Sequence, residues 1–110
     1  MDVQERIRQH IGSQPVVIFM KGSPTSPMCG FSARTAESLK QCERPFGWVN
    51  VLADQEIRSA LPQYSDWPTF PQVFIDGELV GGCDITLQLA EQGELGKMVQ
   101  QAVDGASSSA

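Results

Sequence analysis

An α/β domain built on a mixed sheet is the fold class that this 110-residue sequence predicts, and three observations carry the prediction. The run Val16–Met20 is continuously apolar and rich in β-branched residues, as in a strand buried on both faces. A helical segment separates it from a second strand-like run, Trp48–Leu52, and a strand, helix, strand order requires a crossover connection and a parallel pair. Asp76-Gly77 lies between Val73–Ile75 and Glu78–Val80 and supplies the positive φ angles of a tight hairpin, which adds antiparallel strands to the same sheet.

The remaining elements follow from periodicity and punctuation. Asp2 to Ile11 sets Val3, Ile7 and Ile11 at helical spacing among charged residues, so it reads as an amphipathic helix ending near Gly12. Pro15 opens the first strand. Gly22 to Pro27 holds two prolines and several hydroxyl residues, which read as a loop. From Cys29 to about Cys42, residues Ala33, Ala36, Leu39 and Lys40 favour a helix, with Pro45 and Gly47 beyond its end. Asp54 is the expected N-cap of a short helix reaching Leu61, with Pro62 as its limit. Gly81-Gly82 closes the last strand. Asp84 is expected to cap a helix carrying Ile85, Leu87 and Leu89 up to Gly93, and Glu94 to Val103 forms the final helix. The tail Gly105-Ala-Ser-Ser-Ser-Ala is too small and polar to pack. The expectation is one domain over residues 1–104 and a disordered tail over 105–110, with no repeat and no linker.

Bulk properties narrow the function. The chain is long enough to bury a core without staples. Its net charge of -5, with eight scattered Lys and Arg residues, argues against nucleic acid, because phosphate binding needs clustered cations. No membrane role is expected: Val16–Met20 is far too short to span a bilayer, and Met1-Asp2 lacks the pattern of a signal peptide. Three cysteines without framework spacing read as free thiols of a reducing, cytoplasmic setting.

The chemistry concentrates in Lys21-Gly-Ser-Pro-Thr-Ser-Pro-Met-Cys29-Gly30-Phe31-Ser32, which sets one cysteine between a strand and a helix and a serine where a second cysteine would complete C-x-x-C. Exchange runs through a mixed disulfide that another thiolate must resolve, and Ser32 cannot do that. A cysteine in the first turn of a helix meets unpaired amides and the positive end of the dipole, which favour the thiolate. Lys21 adds a cation nearby, Gly30 allows close approach to the backbone, and Phe31 either shields the sulfur or faces a pocket rim.

This segment resembles the signature of the monothiol glutaredoxins. Two further blocks at family order and spacing extend the resemblance over nearly the whole chain: Trp67-Pro68-Thr69-Phe70-Pro71-Gln72 and Gly81-Gly82-Cys83-Asp84-Ile85. The resemblance implies a thioredoxin-like fold, a four-stranded mixed sheet flanked by helices on both faces. It also implies a glutathione site. In glutaredoxins the residues matching Lys21 and Arg58 hold the glycine carboxylate. The main chain of the residue matching Phe70 pairs with the cysteinyl unit beside a cis-proline matching Pro71, and those matching Cys83 and Asp84 receive the γ-glutamyl end. The physics agrees, since a helix start offers amides to a carboxylate and the Asp84 side chain can pair with the ammonium.

A [2Fe-2S] cluster takes four thiolates in its usual form, and one chain offers a single well-placed sulfur, Cys29. Two chains and two glutathione thiols complete the count, so the resemblance implies a labile cluster bridging a homodimer. Cys29 is thus both the reactive thiol and the metal ligand. Cys42 lies about 20 Å away along an intact helix and cannot share the cluster. Cys83 is either a partner of Cys29 in a disulfide or a small packing residue. His10 has no ligand partner at helical spacing, and Trp48 and Trp67 suit packing. The leading expectation is a cluster carrier serving iron-sulfur scaffolds, apo client proteins and BolA-family proteins. The competing one is a glutathione-dependent thiol-disulfide oxidoreductase that removes glutathione from proteins through Cys29.

Overall fold

The computed structural model describes residues 2–108. In chain order the elements are α1 (Val3–Ser13), β1 (Val16–Met20), β2 (Gly22–Ser23), β3 (Ser26–Pro27), α2 (Gly30–Lys40), β4 (Gly47–Asn50), α3 (Gln55–Ser65), β5 (Gln72–Ile75), β6 (Glu78–Gly81), α4 (Cys83–Glu91) and α5 (Glu94–Ser108). The main sheet has the order β4-β1-β5-β6. β1 runs parallel to β4, with Met20 opposite Asn50, and antiparallel to β5, with Phe19 opposite Gln72. β5 and β6 close on Asp76-Gly77, whose φ angles of 52° and 80° are those the hairpin turn requires.

All five residues of β1 are buried, because a pleated strand turns alternate side chains to opposite faces and both faces are covered. Val16, Ile18 and Met20 join Ala36 and Leu39 of α2 and Leu95 and Val99 of α5 in one core. Val17 and Phe19 face the other way, into a second core with Ile7 and Ile11 of α1 and Ile57 and Leu61 of α3. Each such side chain contributes about 1.5–3 kcal/mol on burial. The result is three layers, a four-stranded mixed sheet between two layers of helix, which is the thioredoxin-like arrangement expected.

Five local expectations change. The Gly22 to Pro27 segment is not plain loop: β2 and β3 pair as a small antiparallel ribbon, with Ser23 Oγ accepting from the Ser26 N–H at 3.1 Å. Pro62 lies inside α3, which runs on to Ser65 before Asp66, at φ 54°, ends it and donates its N–H to the Pro62 carbonyl. The proline removes one donor at the final turn, yet its own carbonyl still accepts, so the turn closes. Asp84 is not the N-cap of α4; that position is Gly82, which offers no side-chain cap, and Asp84 sits in the first turn. Finally, α5 continues through Ser108 instead of ending near Val103, so residues 105–108 of the expected disordered tail are helical. Alanine propagates a helix already begun, and one glycine costs only about 1 kcal/mol. Residues 109–110 of that tail lie outside the described residues. Trp48 is also a departure, for it is 49% exposed on the outer strand β4, where Val49 takes the inward position.

Candidate functional site

The first helix of the site is aimed by its N-terminus. Cys29 is the N-cap of α2, with extended backbone angles, and its Sγ accepts from the Ser32 N–H at 3.4 Å. It is part exposed, whereas Ser32 is fully buried, with Oγ 3.6 Å from the sulfur. Burial taken alone raises the thiol pKa. The Ser32 amide, the Ser32 hydroxyl, the Phe31 amide and the positive charge of Lys21 outweigh it, and the Cys29 thiol is held below its ordinary value. Phe31 is 55% exposed and carries the Arg34 guanidinium 5.1 Å from its ring centroid.

The segment leading to Cys29 is braced from three sides. Asn50 Oδ1, at the end of β4, accepts from the N–H groups of Gly22 and Leu52, both at 3.0 Å. Lys40 Nζ donates to the Pro24 carbonyl at 2.7 Å, and the Met28 N–H to the Lys21 carbonyl at 2.9 Å. Gly22, at φ 93°, is obligatory there, because a Cβ would stand 2.5 Å from the Ser26 carbonyl oxygen.

Beside this helix start lies a cleft of about 780 Å³. Lys21, Arg58, Phe70, Cys83 and Asp84 all line it, together with Phe31 and the Trp67–Thr69 segment. Cys29 stands at its edge through its neighbour Phe31 and is not itself in the lining. Arg58 projects from α3, whose first turn is tied down by Asp54: its Oδ1 caps the Ile57 N–H at 3.2 Å, while its other oxygen pairs with Arg6 of α1. Among the described residues, the ion pairs join Arg6, Arg44 and Lys97 to carboxylates, leaving Lys21, Arg58 and Asp84 without one. Among the described residues, then, the cleft holds two cations and one carboxylate that are in no ion pair.

The opposite wall is built around the Phe70–Pro71 peptide, which is cis as the resemblance implies. Phe70 precedes β5, so its main-chain groups fall outside the sheet ladder. Gln72 is fully buried and holds the turn from within, its Nε2 donating to the carbonyls of Trp67 at 2.9 Å and Thr69 at 3.2 Å. Gly82 packs so closely under the Trp67 indole that a Cβ would sit 3.1 Å from Nε1 and 3.2 Å from the Pro71 carbonyl. Without a capping side chain there, the first amides of α4 have no intrahelical partner, which suits a carboxylate.

The other thiols are differently placed. Cys42 is half-buried against the α2 and α5 core; its Sγ donates to the Ser38 carbonyl at 3.5 Å, and burial pushes its pKa up. Cys83 is buried and free, within the cleft wall. Among the described residues, no group of three or more His, Cys, Asp and Glu is placed to hold a metal ion. Sequence reading missed the hydrogen-bonding role of Ser32, the braces from Asn50 and Lys40, and Trp67 as a wall of the cleft. The contacts of Ser32 with Lys21, of Asn50 with Gly22 and of Lys40 with Pro24 join separate segments, with no local spacing to announce them.

A four-stranded mixed sheet, a cysteine capping α2 and a cis-proline turn opposite it define a class, and the comparisons agree on which. The glutaredoxin family model matches residues 16–80, and the chain belongs to that family. Within it, the single cysteine of Cys29-Gly30-Phe31-Ser32 makes it a monothiol glutaredoxin, similar to the Glutaredoxin 4 proteins. It is 54% identical over 95 residues to Glutaredoxin 4 of Pasteurella multocida, covering 86% of this chain and 87% of that one. Among solved structures, reduced poplar apo GrxS14 matches with a TM-score of 0.79 at 44% identity, covering 91% of this chain and 92% of the other. A buckwheat glutaredoxin-glutathione complex matches with a TM-score of 0.78 at 27% identity, covering 89% and 87%.

Proposed function

We propose that this monothiol glutaredoxin binds glutathione in the cleft beside Cys29 and carries a labile [2Fe-2S] cluster between two copies of itself, for delivery to apo iron-sulfur proteins. The observation that carries the reading is the set of unpaired charges around one thiolate-favouring cysteine. Glutathione has two carboxylates, an ammonium and a thiol. Lys21 and Arg58 suit its glycine carboxylate, the free α4 amides its γ-glutamyl carboxylate, and Asp84 its ammonium. Phe70 offers main-chain groups for the peptide between them, held by the cis bond to Pro71, and Cys83 lines the γ-glutamyl end. A tripeptide laid in this way brings its sulfur toward Cys29.

Each subunit then presents two sulfurs, Cys29 Sγ and that of the tripeptide, and two subunits present four, the usual number for this cargo. Because half of these ligands dissociate, the cargo is easily passed on. Scaffold and apo client proteins are the proposed donors and acceptors, and a BolA-family protein the proposed alternative to the second subunit, in the cytoplasm. No helix among the described residues is long and apolar enough to cross a membrane.

The lowering of the Cys29 thiol pKa by its neighbours supports a second reading, a glutathione-dependent oxidoreductase. The Cys29 thiolate attacks the glutathione sulfur of a protein mixed disulfide and the protein thiolate leaves. A second glutathione thiolate then attacks Cys29-S-S-glutathione, releasing glutathione disulfide and restoring Cys29. Anaerobic reconstitution with iron, sulfide and glutathione separates the two. The carrier reading expects a brown dimer that is lost in Cys29→Ser or without glutathione and retained in Cys42→Ser, with Arg58→Ala weakening glutathione retention. A colourless monomer with rapid glutathione-dependent disulfide reduction overturns it in favour of the enzyme.

A further inference from the structure

Arg58 is the cation that α3 presents to the cleft, and it shares the start of that helix with two carboxylates, Asp54 and Glu56. Asp54 precedes it by four residues, acid before base, which is the spacing and order that pair best on a helix. Glu56, two residues before it, does not face it. Left to itself, Asp54 would close on Arg58 and withdraw it from the cleft. The structure shows another pairing. Asp54 Oδ2 pairs with Nη2 of Arg6 on α1, and Nη1 of the same guanidinium lies 3.3 Å from Glu56 Oε1. The other Asp54 oxygen, Oδ1, accepts from the Ile57 N–H at 3.2 Å, so both oxygens are engaged. Asp54 still holds Arg58 by its main chain, its carbonyl accepting from the Arg58 N–H at 3.0 Å. The Arg58 side chain, among the described residues, is in no ion pair.

We propose that Arg6 is a positioning residue for Arg58: by occupying the Asp54 carboxylate from α1, it keeps the Arg58 guanidinium free to receive the glycine carboxylate of the tripeptide. This inference rests on the proposed role of Arg58 and adds a residue that lies outside the cleft lining. Packing sets Arg6 in place. Its neighbour Ile7 is fully buried in the same core cluster as Ile57 and Leu61 of α3, which fixes the spacing between the two helices. The planar fork of a guanidinium then reaches two carboxylates at once, which the point charge of a lysine does not match. One carboxylate thus has an arginine on each of two helices to choose from. The choice decides whether the cleft keeps its second cation.

The test is an amide NMR titration of the apo protein with reduced glutathione. Arg6→Gln releases Asp54 to Arg58, and a helical pair of ordinary strength then captures Arg58 for about two-thirds of the time, so binding should weaken about two- to threefold. Two further arms separate this from a loosened fold. Adding Asp54→Asn to Arg6→Gln removes the competing charge while asparagine still caps the helix, so the double variant should regain wild-type affinity. Glutathione monoethyl ester, whose glycine carboxylate is masked, should bind the wild-type protein and Arg6→Gln alike. Unchanged glutathione affinity in a natively folded Arg6→Gln, or a loss that Asp54→Asn does not restore, overturns the proposal. Guanidinium NMR reads the pairing without any ligand: in the wild-type protein rotation should be hindered at Arg6 and fast at Arg58, and in Arg6→Gln it should slow at Arg58. Hindered rotation at Arg58 in the wild-type protein overturns the proposal even where Arg6→Gln does not fold. Arg58→Ala is titrated alongside. If it binds glutathione as the wild type does, the carboxylate role of Arg58 falls; if it binds weakly while Arg6→Gln binds normally, only the role of Arg6 falls.

Discussion

Cys29 and Cys42 sit at opposite ends of one helix, and their surroundings push the same functional group in opposite directions. At Cys29 the amides of the first turn, a hydroxyl and a cation outweigh burial; at Cys42 burial acts alone. Two consequences follow for pH. At neutral pH iodoacetamide should modify Cys29 well before Cys42, which mass spectrometry of the digested protein reads directly; equal rates would contradict the assignment. The second is a stability effect. An acid whose folded pKa lies below its unfolded one stabilises the fold most above the unfolded value, about 8.5 for a thiol, and loses that contribution as pH falls through the folded midpoint. The stability gap between the wild-type protein and Cys29→Ser should therefore widen as pH rises toward 9, in urea titrations at several pH values. A gap that narrows over that range would show a thiol raised, not lowered.

At the level of elements, the site depends on a short segment that contributes no residue to either core cluster. The Gly22 to Met28 segment is a braced ribbon, and Gly22 is its least replaceable residue. Gly22→Ala should cost about 1–3 kcal/mol for the left-handed backbone alone, with more from the clash against Ser26, and should weaken glutathione binding by displacing Cys29. Thermal unfolding and calorimetric titration check both halves, and a variant with native stability and affinity would show that the ribbon does not position the thiol. Helices and strands with strong local signals were legible: β1 in full, α1 and α2 within a residue or two, and the Asp76-Gly77 turn. Pro62 and Asp84 were misplaced for one reason. Residue type states what a position tolerates, while the end of a helix is set by what its last carbonyls and first amides meet, here the Asp66 N–H and the backbone of Gly82.

The molecule as a whole is a sheet with an independent core on each face. Leu39→Ala, behind α2, should destabilise by about 2–5 kcal/mol, and Ile57→Val, under α3, by about 0.5–1.5 kcal/mol. The two belong to separate clusters, so the double variant should lose their sum to within about 0.5 kcal/mol in denaturant titrations. A larger discrepancy would mean that the sheet transmits strain between its faces. That same sheet brings together what the chain keeps apart: Lys21, Arg58, Phe70 and Asp84 meet across one cleft because β1 lies beside β5 and α3 and α4 flank them. The linear order of residues was enough to establish the alternation of helices and strands, the mixed sheet, and the solitary cysteine with its three motif blocks, since hydrophobic period, turn chemistry and residue spacing are local properties of a chain. It could not show that Ser32 reaches back to Lys21, that Asn50 and Gln72 hold the loops, or that, among the described residues, Lys21, Arg58 and Asp84 of the cleft are in no ion pair. Those are facts about which groups meet in space, some across distant segments, as Asn50 meets Gly22, and some around a turn, as Gln72 meets Thr69, and they come into being only when the two cores close on the sheet.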